Sequence, residues 1–250
     1  MNKSLLAFSL LLRLLTFANP VTANQLAIVI DDLGYSYKAG KRAIDLPGRI
    51  TFAILPFAPN TQDLAEYAKN KNKEVIIHLP MEAENEQQNR VEEITLREHM
   101  SSIQYSIILG AALNSLKNAI GVSNHTGSLL TIKKESMRRL MSKLAQRKLY
   151  FLDSKTSNKS VAIKIAKEFN VSSVSRDFFL DNIKEEANME TVFKRAIKLS
   201  RKTGEALIIG HPYSSSLDFL ESKLKNLPED IELVFASQLT TNHPIAPGPL

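Results

Sequence analysis

The sequence of 250 residues contains no cysteine and no tryptophan. Without cysteine the chain can form neither a disulfide nor a thiolate metal site, so any bound metal must be held by His, Asp or Glu. Those ligands favour zinc, manganese or a similar divalent ion. Aromatic residues are few, with 11 Phe and 6 Tyr, so an extended platform for stacking sugars is not evident. Tyr35, Tyr37 and Tyr213 lie near polar motifs and are the aromatic candidates for contact with a ligand.

Charge of one sign is not concentrated in any part of the chain. Lys and Arg number 32 against 26 Asp and Glu, which gives a formal net charge of +6. No basic run is interleaved with aromatic residues, so the surplus does not indicate nucleic-acid binding. Beyond the N-terminus, no apolar run is long enough to cross a bilayer. With 44% hydrophobic residues, the chain can bury one substantial α/β core.

The first 23 residues have the pattern of a signal peptide. Lys3 supplies a positive charge, Leu5–Phe17 is mostly apolar, and Val21-Thr22-Ala23 offers small residues at the expected cleavage site. Cleavage after Ala23 would leave a periplasmic or secreted protein with no stable membrane span. Arg13 within the apolar run argues against a permanent anchor. An uncleaved anchor or an ordinary first helix are the alternatives.

Eight short apolar runs recur along the rest of the chain. Most are continuous rather than alternating, which is typical of strands that are covered on both faces, as in a parallel sheet. The runs are Leu26–Ile30, Thr51–Leu55, Glu74–Leu79, Ala119–Asn124, Leu149–Leu152, Ser172–Leu180, Glu205–Gly210 and Ile231–Phe235.

Segments with helical spacing separate most of these runs. Thr95-Leu-Arg-Glu98 matches a capping box and predicts a helix from there to about Leu116. The other predicted helices are Asn60–Lys71, Ile132–Gln146, Val161–Phe169, Glu190–Arg201 and Leu217–Leu224. The alternation predicts an α/β fold, a distorted (β/α)7–8 barrel over residues 24–240, followed by a disordered tail over 241–250. An open, doubly wound sheet is the alternative. The polar segment Glu82–Glu93 predicts a long loop after the third strand.

Ionisable residues follow several predicted strands at their C-terminal ends. In a parallel α/β fold all these ends open on one face, so residues distant in sequence converge there. Taken singly, each would be an ordinary helix cap or hydrogen-bonded structural residue. Taken together they predict a functional site; they are Asp31, Asp32, His78, His125, Asp153 and His211. By contrast, His99 is expected within a charged helix and His243 in the tail.

The site at this face has the composition of a divalent-metal centre. Two imidazoles and a carboxylate can hold such an ion and leave positions open for water and substrate. The ion lowers the pKa of a water molecule and polarises a carbonyl. A second carboxylate can then accept the proton, and a histidine across the site can protonate the leaving group. Asp31, Asp32, His78 and His125 are the expected core of this site.

Several motifs, in order along the chain, resemble the divergent polysaccharide deacetylase family. They are Ile30-Asp-Asp-Leu-Gly34, His78-Leu-Pro-Met-Glu82, Asn124-His-Thr-Gly-Ser128, Phe151-Leu-Asp-Ser154, Arg176-Asp-Phe-Phe-Leu-Asp181 and Gly210-His-Pro-Tyr213. The likeness covers Leu26 to Leu239. That family is similar to carbohydrate esterases with a deformed (β/α) barrel, which remove acetyl groups from polysaccharides.

The resemblance implies roles for the site residues. Asp31 would be the general base, His211 the acid, and Asp32, His78 and His125 the ligands of a divalent metal, with zinc the expected ion. The parent motif has His, three residues, then His, whereas this chain has Glu82 in the second place. Either Glu82 or His125 would therefore replace the missing imidazole. Asp153, Asp177 and Tyr213 are further candidates for the site.

Three functions are compatible with the sequence. The first is a metal-dependent carbohydrate deacetylase that acts on an acetylated envelope or extracellular glycan. The second is a catalytically impaired, deacetylase-like protein of the periplasm that binds a glycan or a protein partner, which the replacement at Glu82 favours. The third is a metal-dependent hydrolase of another bond, such as a phosphoester, although no glycine-rich phosphate loop is present.

Overall fold

A computed structural model describes residues 24–86 and 92–241. Its centre is a sheet of nine strands in which all strand pairs are parallel. The strands are β1 (Asn24–Leu33), β2 (Thr51–Ile54), β3 (Glu74–Met81), β4 (Gly121–Thr126), β5 (Tyr150–Asp153), β6 (Ser173–Ser175), β7 (Phe178–Phe179), β8 (Glu205–Gly210) and β9 (Ile231–Val234). Their order is β6-β5-β4-β3-β2-β1-β8-β7, with β9 also paired to β1. The sheet curls into a half-barrel, which confirms the predicted distorted barrel.

Within the described ranges, seven α-helices follow or precede the strands. They are α1 (Tyr37–Ile44), α2 (Thr61–Asn70), α3 (Ser102–Ser115), α4 (Lys134–Arg147), α5 (Ala162–Glu168), α6 (Glu186–Thr203) and α7 (Ser214–Leu224). Short 3-10 helices span Leu130–Ile132 and Ala236–Leu239. In α4, Met137, Leu140, Met141 and Leu144 are buried and lie on one face of the helix. Within the described ranges, no helix combines the length and apolarity needed to cross a membrane.

Alternate residues of each strand face two different cores. Leu26, Ile28 and Ile30 of β1 belong to the large cluster with the helices. Ala27 and Val29 belong to a smaller cluster inside the barrel. Because successive side chains in a strand point to opposite faces, both faces of β1 must be apolar to be buried, which explains the continuous apolar run. Each fully buried Leu or Ile contributes roughly 1.5–3 kcal/mol to the free energy of unfolding.

The predicted helix start at Thr95 is wrong. Helix α3 begins at Ser102, where Ser101 and Gln104 form a reciprocal capping box. Leu96 instead bridges to β3, since its N–H donates to Pro80 (2.9 Å) and its carbonyl accepts from Glu82 (2.9 Å). The backbone of this segment is therefore used to extend the sheet and is not free to start a helix. His99 accordingly lies before α3 rather than within it.

The predicted strand Ser172–Leu180 is in fact two strands. β6 pairs with β5 at one end of the strand order, and β7 pairs with β8 at the other. The intervening Arg176 and Asp177 carry the chain from one edge of the curled sheet to the other. A single continuous strand could not serve both edges, which is why the apolar run is interrupted. Helix α1 was not predicted; it is short and capped by Ser36, whose Oγ accepts from the N–H of Ala39 (3.2 Å).

Three of the predictions concern residues that lie wholly or partly outside the described ranges 24–86 and 92–241. The signal peptide (1–23) and the tail from residue 242 onward lie outside the described residues, as does part of the predicted loop Glu82–Glu93 (87–91). Thr241 pairs antiparallel with Ser173 in an isolated bridge.

Candidate metal centre and active site

The two adjacent aspartates reach one cavity because the backbone turns between them. Asp31 continues the line of β1 residues that faces the barrel interior, and it is buried. In a regular strand Asp32 would point to the opposite face. Asp32 instead has a left-handed φ of 61°, and the pairing of β1 with β2 shifts register between Ile30 and Leu33. Both carboxylates consequently line the same cavity. Left-handed backbone is uncommon for a residue other than glycine, and Asp is among the types that tolerate it.

His78 reaches the site from β3, which is separated from β1 by β2 in the sheet. Its Nδ1 lies 2.7 Å from the hydroxyl of Ser123, the residue opposite it on β4. With Nδ1–H donating to Ser123, the lone pair of Nε2 faces the aspartates. Nε2 lies 3.1 Å from Asp32 Oδ1 and 3.6 Å from Asp31 Oδ2. The cross-strand hydroxyl therefore orients the imidazole toward the carboxylates.

His125 completes a cluster of three metal-binding side chains. Its Nδ1 lies 2.8 Å from Asp32 Oδ1, and its ring meets that of His78 edge to face, with 4.9 Å between centroids. The ligand atoms of Asp32, His78 and His125 all lie within 4.8 Å of one another. One carboxylate and two imidazoles in this geometry fit a divalent ion with an open coordination position. The structure thus brings together the three residues predicted as metal ligands.

His211 stands across the cavity at the end of β8. Its Nδ1 lies 2.8 Å from Asp181 Oδ1, and its backbone N–H donates to Asp181 Oδ2 (2.7 Å). Ser216 Oγ donates to the same Oδ2 (2.7 Å). The other ring nitrogen, Nε2, faces the cluster and lies 3.9 Å from Asp32 Oδ2. Asp181 thus fixes the Nδ1 side of the His211 ring, and Nε2 is directed at the site.

The carboxylates of the site differ sharply in acidity. Burial raises the pKa of Asp31 above its usual value, and the charges of His78 and His211 only partly offset this effect. Burial also acts to raise the pKa of Asp32, but hydrogen bonds with His125 and His78 outweigh it and hold that pKa well below its usual range. The ionised form is therefore favoured at Asp32, whereas burial favours the protonated form of Asp31.

The imidazoles facing these carboxylates favour the charged form. Burial lowers the pKa of His211, but the hydrogen bond and charge of Asp181 raise it to about 9. Burial likewise opposes protonation of His78, yet the charge of Asp31 and the hydrogen bond of Asp32 raise its pKa. At neutral pH His211 is consequently a proton donor.

The cluster lies between two cavities. The first has a volume of about 440 Å³ and contains Asp31 and His78 in its wall, together with polar side chains of the loops after β4 and β5. The second, of about 400 Å³, extends toward Tyr35 and α1. Both cavities have the volume of a small-ligand pocket, and they share Asp32, His125, His211 and Tyr213 in their walls.

Glu82 does not join the cluster. Its Oε2 accepts from the backbone N–H of Glu98 (2.7 Å), and its Oε1 lies 3.8 Å from Arg97. Its carbonyl accepts from Leu129 (3.2 Å) and Leu130 (3.0 Å). Glu82 therefore ties together the loops that follow β3 and β4. Of the two candidates Glu82 and His125, only His125 lies in the cluster with Asp32 and His78.

Asp153 and Asp177 are also directed away from the cavity. Asp153 accepts from the N–H of Lys155 (2.8 Å) and the hydroxyl of Ser160 (2.7 Å), so it shapes the loop after β5. Asp177 accepts from the N–H of Leu207 (2.8 Å) and attaches the start of β7 to β8.

The three tyrosines differ in their position. Tyr213 lines both cavities, with its ring 5.6 Å from that of His211 and the ammonium of Lys184 3.5 Å from its centroid. Tyr35 lines the second cavity and donates a hydrogen bond to Glu92. Tyr37, on α1, is not among the residues that line either cavity.

Four residues of the site were not predicted from the sequence: Ser123, Asp181, Glu92 and Ser154. Ser154 lines the main cavity, and its buried hydroxyl has no hydrogen-bond partner in the described part of the chain. The signal for Ser154 was the alternation of β5, where Tyr150 and Leu152 face the barrel interior and residue 154 continues that line. Asp181 ends a motif that the sequence already singled out. Ser123 and Glu92 depend on pairing and loop geometry that one sequence does not display.

The fold and the cluster define a parallel α/β barrel with a carboxylate–imidazole centre at the C-terminal ends of its strands. The model of the divergent polysaccharide deacetylase family matches residues 28–240, and the chain belongs to this family. It is 39% identical to an uncharacterized protein of Escherichia coli (strain K12), YibQ, over 95% of this chain and 73% of that protein.

Two solved structures show the same architecture. An uncharacterized protein from Agrobacterium tumefaciens C58 superposes with a TM-score of 0.82 at 23% identity, over 88% of this chain and 91% of the other. The catalytic domain of peptidoglycan N-acetylglucosamine deacetylase from Eubacterium rectale gives a TM-score of 0.50 at 13% identity, over 90% and 94% of the two chains. At these identities the likeness establishes the fold, which is a barrel of the deacetylase type.

Proposed function

We propose that this protein is a metal-dependent deacetylase of an acetylated envelope glycan, with zinc as its ion. The observation that carries the proposal is the arrangement of one cavity. Asp32, His78 and His125 place their ligand atoms within 4.8 Å of one another, and Asp31 and His211 flank them. A metal centre between a proton acceptor and a proton donor is the arrangement needed to hydrolyse an acyl bond.

The residues of the site have complementary roles in this reaction. A divalent ion held by Asp32, His78 and His125 would lower the pKa of a water molecule and polarise the acetyl carbonyl. Asp31 accepts a proton from the attacking water, a role suited to a carboxylate whose pKa burial has raised. His211, protonated below about pH 9, donates its proton to the leaving nitrogen or oxygen. A carbon–oxygen bond forms, the acyl bond breaks, and acetate and the free amine or hydroxyl leave.

The cavity walls support a polar, sugar-like substrate. Hydroxyl and amide side chains surround the aspartates, and Phe179 and Tyr213 add two aromatic rings to the wall. Mixed polar and aromatic walls bind sugars through hydrogen bonds to hydroxyls and contact with the ring faces. The structural relative from Eubacterium rectale is a peptidoglycan N-acetylglucosamine deacetylase. We therefore infer that a glycan containing N-acetylglucosamine is the first substrate class to test.

The proposal includes export from the cytoplasm. The pattern of residues 1–23 supports cleavage after Ala23 and a periplasmic or secreted protein. Such a location would bring the enzyme to acetylated envelope glycans. Detection of a mature N-terminus at Asn24 in the periplasmic fraction would test this part independently of activity.

The decisive experiment combines metal analysis with acetate release. Purified protein is expected to contain about one equivalent of zinc and to release acetate from N-acetylglucosamine oligomers or peptidoglycan. Asp31→Asn should abolish acetate release while the metal remains bound, because Asp31 is outside the ligand triad. Asp63→Asn, at an exposed position of α2, serves as the matched control and should retain full activity.

Other outcomes would identify a different function. Stoichiometric metal without acetate release, together with glycan binding that Asp31→Asn leaves unchanged, would indicate a binding protein. Release of phosphate from generic phosphoesters would indicate another hydrolase. Protein that neither binds metal nor releases acetate would refute the proposal.

A further inference from the structure

The loop between β3 and α3 returns to the metal site at a fixed point. Leu96 pairs with the end of β3 through two backbone hydrogen bonds of 2.9 Å, with Pro80 and Glu82. Thr95 Oγ1 donates to the carbonyl of Glu92 (2.7 Å). These contacts anchor the returning segment to the sheet four residues or fewer from Glu92. The position of Glu92 is thus determined by strand pairing as well as by its own side chain.

The carboxylate of Glu92 lies between two other parts of the site. Its Oε1 is 3.9 Å from His125 Nε2. Its Oε2 accepts a hydrogen bond from the hydroxyl of Tyr35, which belongs to the segment after β1. The Glu92 side chain is only 14% exposed. It therefore links the loop, the segment after the aspartate pair, and His125 of the cluster.

Only one of the two ring nitrogens of His125 lies within hydrogen-bond distance of a partner among the described residues. Nδ1 faces Asp32 at 2.8 Å, whereas Nε2 is buried and has no hydrogen-bond partner among the described residues. An imidazole that binds a metal through Nδ1 carries its proton on Nε2, and a buried N–H without an acceptor destabilises the structure. The carboxylate of Glu92 faces this nitrogen, about 1 Å beyond hydrogen-bond distance.

The two imidazoles of the cluster differ in this respect. His78 already has an oxygen behind it, since its Nδ1 is 2.7 Å from Ser123 Oγ. His125 has its carboxylate at a longer distance and on a loop rather than on a strand. Metal-binding histidines usually donate their second N–H to such an oxygen, which fixes the ring orientation and raises its basicity.

We propose that Glu92 is a positioning residue of the metal centre, and this inference rests on the metal site of the proposed function. When the site is loaded, Glu92 Oε1 accepts the Nε2 proton of His125 and keeps Nδ1 directed at the ion. Tyr35 holds the other carboxylate oxygen in place. Closure of the gap between Glu92 and His125 draws residues 92–95, which precede the anchor at Leu96, toward the barrel, so metal binding and the conformation of this segment are coupled.

Zinc affinity, measured by competition with a chromophoric chelator, tests the role of Glu92. Glu92→Ala should weaken zinc binding roughly 10–100-fold, the range found for the loss of such outer partners. Glu92→Gln keeps the shape and an acceptor oxygen but loses the charge, so it should fall between Glu92→Ala and the wild type. Tyr35→Phe should weaken binding less than Glu92→Ala. Glu93→Gln, at the exposed neighbouring position, should bind zinc as the wild type does.

Hydrogen exchange provides a readout that is independent of activity. In the wild type, zinc should slow amide exchange over residues 92–95, because this segment closes onto His125. In Glu92→Ala this protection should be lost even at saturating zinc. Metal-free thermal unfolding of the isosteric Glu92→Gln should match the wild type, which separates a positioning role from a general loss of stability.

The outcomes distinguish this inference from the proposed function. If the wild type binds zinc tightly and both Glu92 variants bind it equally well, the role of Glu92 is refuted and the metal site stands. If the wild type binds no zinc, both fail. A selective loss of affinity in the Glu92 variants, with Glu93→Gln unchanged, is the result that supports the inference.

Discussion

Asp181 contacts His211 through both of its carboxylate oxygens. Oδ1 lies 2.8 Å from the ring Nδ1, and Oδ2 accepts the backbone N–H of His211 at 2.7 Å. Ser216 donates a further hydrogen bond to Oδ2, so the carboxylate is itself fixed. This pairing determines both the orientation and the charge of the imidazole that faces the metal cluster, and it leads to two of the predictions that follow.

The pH dependence of turnover should change in Asp181→Asn. His211 acts in its protonated form, so kcat/KM should fall as the pH rises through the pKa of His211, which Asp181 raises to about 9. Without the negative charge that pKa should drop by roughly 1–3 units. The alkaline limb of the kcat/KM profile is therefore expected to move to lower pH, while zinc affinity stays near that of the wild type. An unchanged alkaline limb would show that His211 is not the acid.

The stability of the metal-free protein should depend on pH through the same pair. Because the folded-state pKa of His211 lies above the unfolded value of 6.5, its contribution is fully present below pH 6.5 and is lost as the pH rises toward 9. The loss amounts to about 3 kcal/mol of unfolding free energy at most. Urea titrations between pH 6 and pH 9, with a chelator present, should show this decline in the wild type and little of it in Asp181→Asn. Parallel declines in the two proteins would contradict the assignment.

Ser154→Ala should impair turnover without affecting the metal. The Ser154 backbone is held by Asn124, whose Oδ1 accepts its N–H (2.8 Å), and by Arg176, which donates to its carbonyl (2.6 Å). Its buried hydroxyl, which has no partner in residues 24–86 and 92–241, is thereby fixed in the wall of the main cavity. Loss of one hydrogen bond to substrate should lower kcat/KM by up to about tenfold.

Ser173→Ala is the matched control for Ser154. Ser173 also has a buried hydroxyl without a partner among the described residues, but it lines a separate cavity that contains none of the site residues. Its removal should leave kcat/KM unchanged. Equal effects of the two substitutions would mean that the Ser154 hydroxyl has no specific contact with substrate.

Substitution of two different glycines by alanine should change the unfolding free energy in opposite directions. A methyl group at Gly121 would lie 2.5 Å from the ring of Tyr150, a fully buried side chain whose hydroxyl is 2.9 Å from Glu74 Oε1. Gly121→Ala should therefore reduce the unfolding free energy by roughly 1–3 kcal/mol. Gly110 lies within α3, where an added methyl group meets nothing within 4 Å, so Gly110→Ala should raise the unfolding free energy by up to about 1 kcal/mol. Chemical denaturation of both variants checks the two signs.

The convergence of the site residues was predictable from the sequence because the C-terminal ends of parallel strands open on one face of the fold. Asp31, His78 and His211 each follow a continuous apolar run, and the structure brings them to one cavity. The same rule also selected Asp153, which is directed elsewhere. Asp153 differs from the other residues because successive side chains of a strand point to opposite faces of the sheet. In β5 the interior residues are Tyr150 and Leu152, so residue 153 points toward the helices.

Other features required information that one sequence does not carry. The choice between Glu82 and His125 depended on distances across neighbouring strands, and on backbone hydrogen bonds that engage Glu82 in the loop. The turn at Asp32 depends on a left-handed φ that the residue type permits but does not require. The helix start predicted at Thr95 was wrong for a similar reason. The local capping pattern does not show that Leu96 pairs with β3, which prevents a helix from starting there.

The pairing of β1 has a consequence for the order in which the protein can fold. This strand carries the aspartate pair, and its partners are β2, β8 and β9; Ile30 pairs with Gly210, and Ala27 with Val234. The aspartates and β2 are synthesised early, yet β8 and β9 are synthesised last. The side of β1 that pairs with β8 must therefore stay unpaired until nearly the whole chain has been synthesised. A chain that stops before β8 would contain every metal ligand and still lack the framework that holds them together.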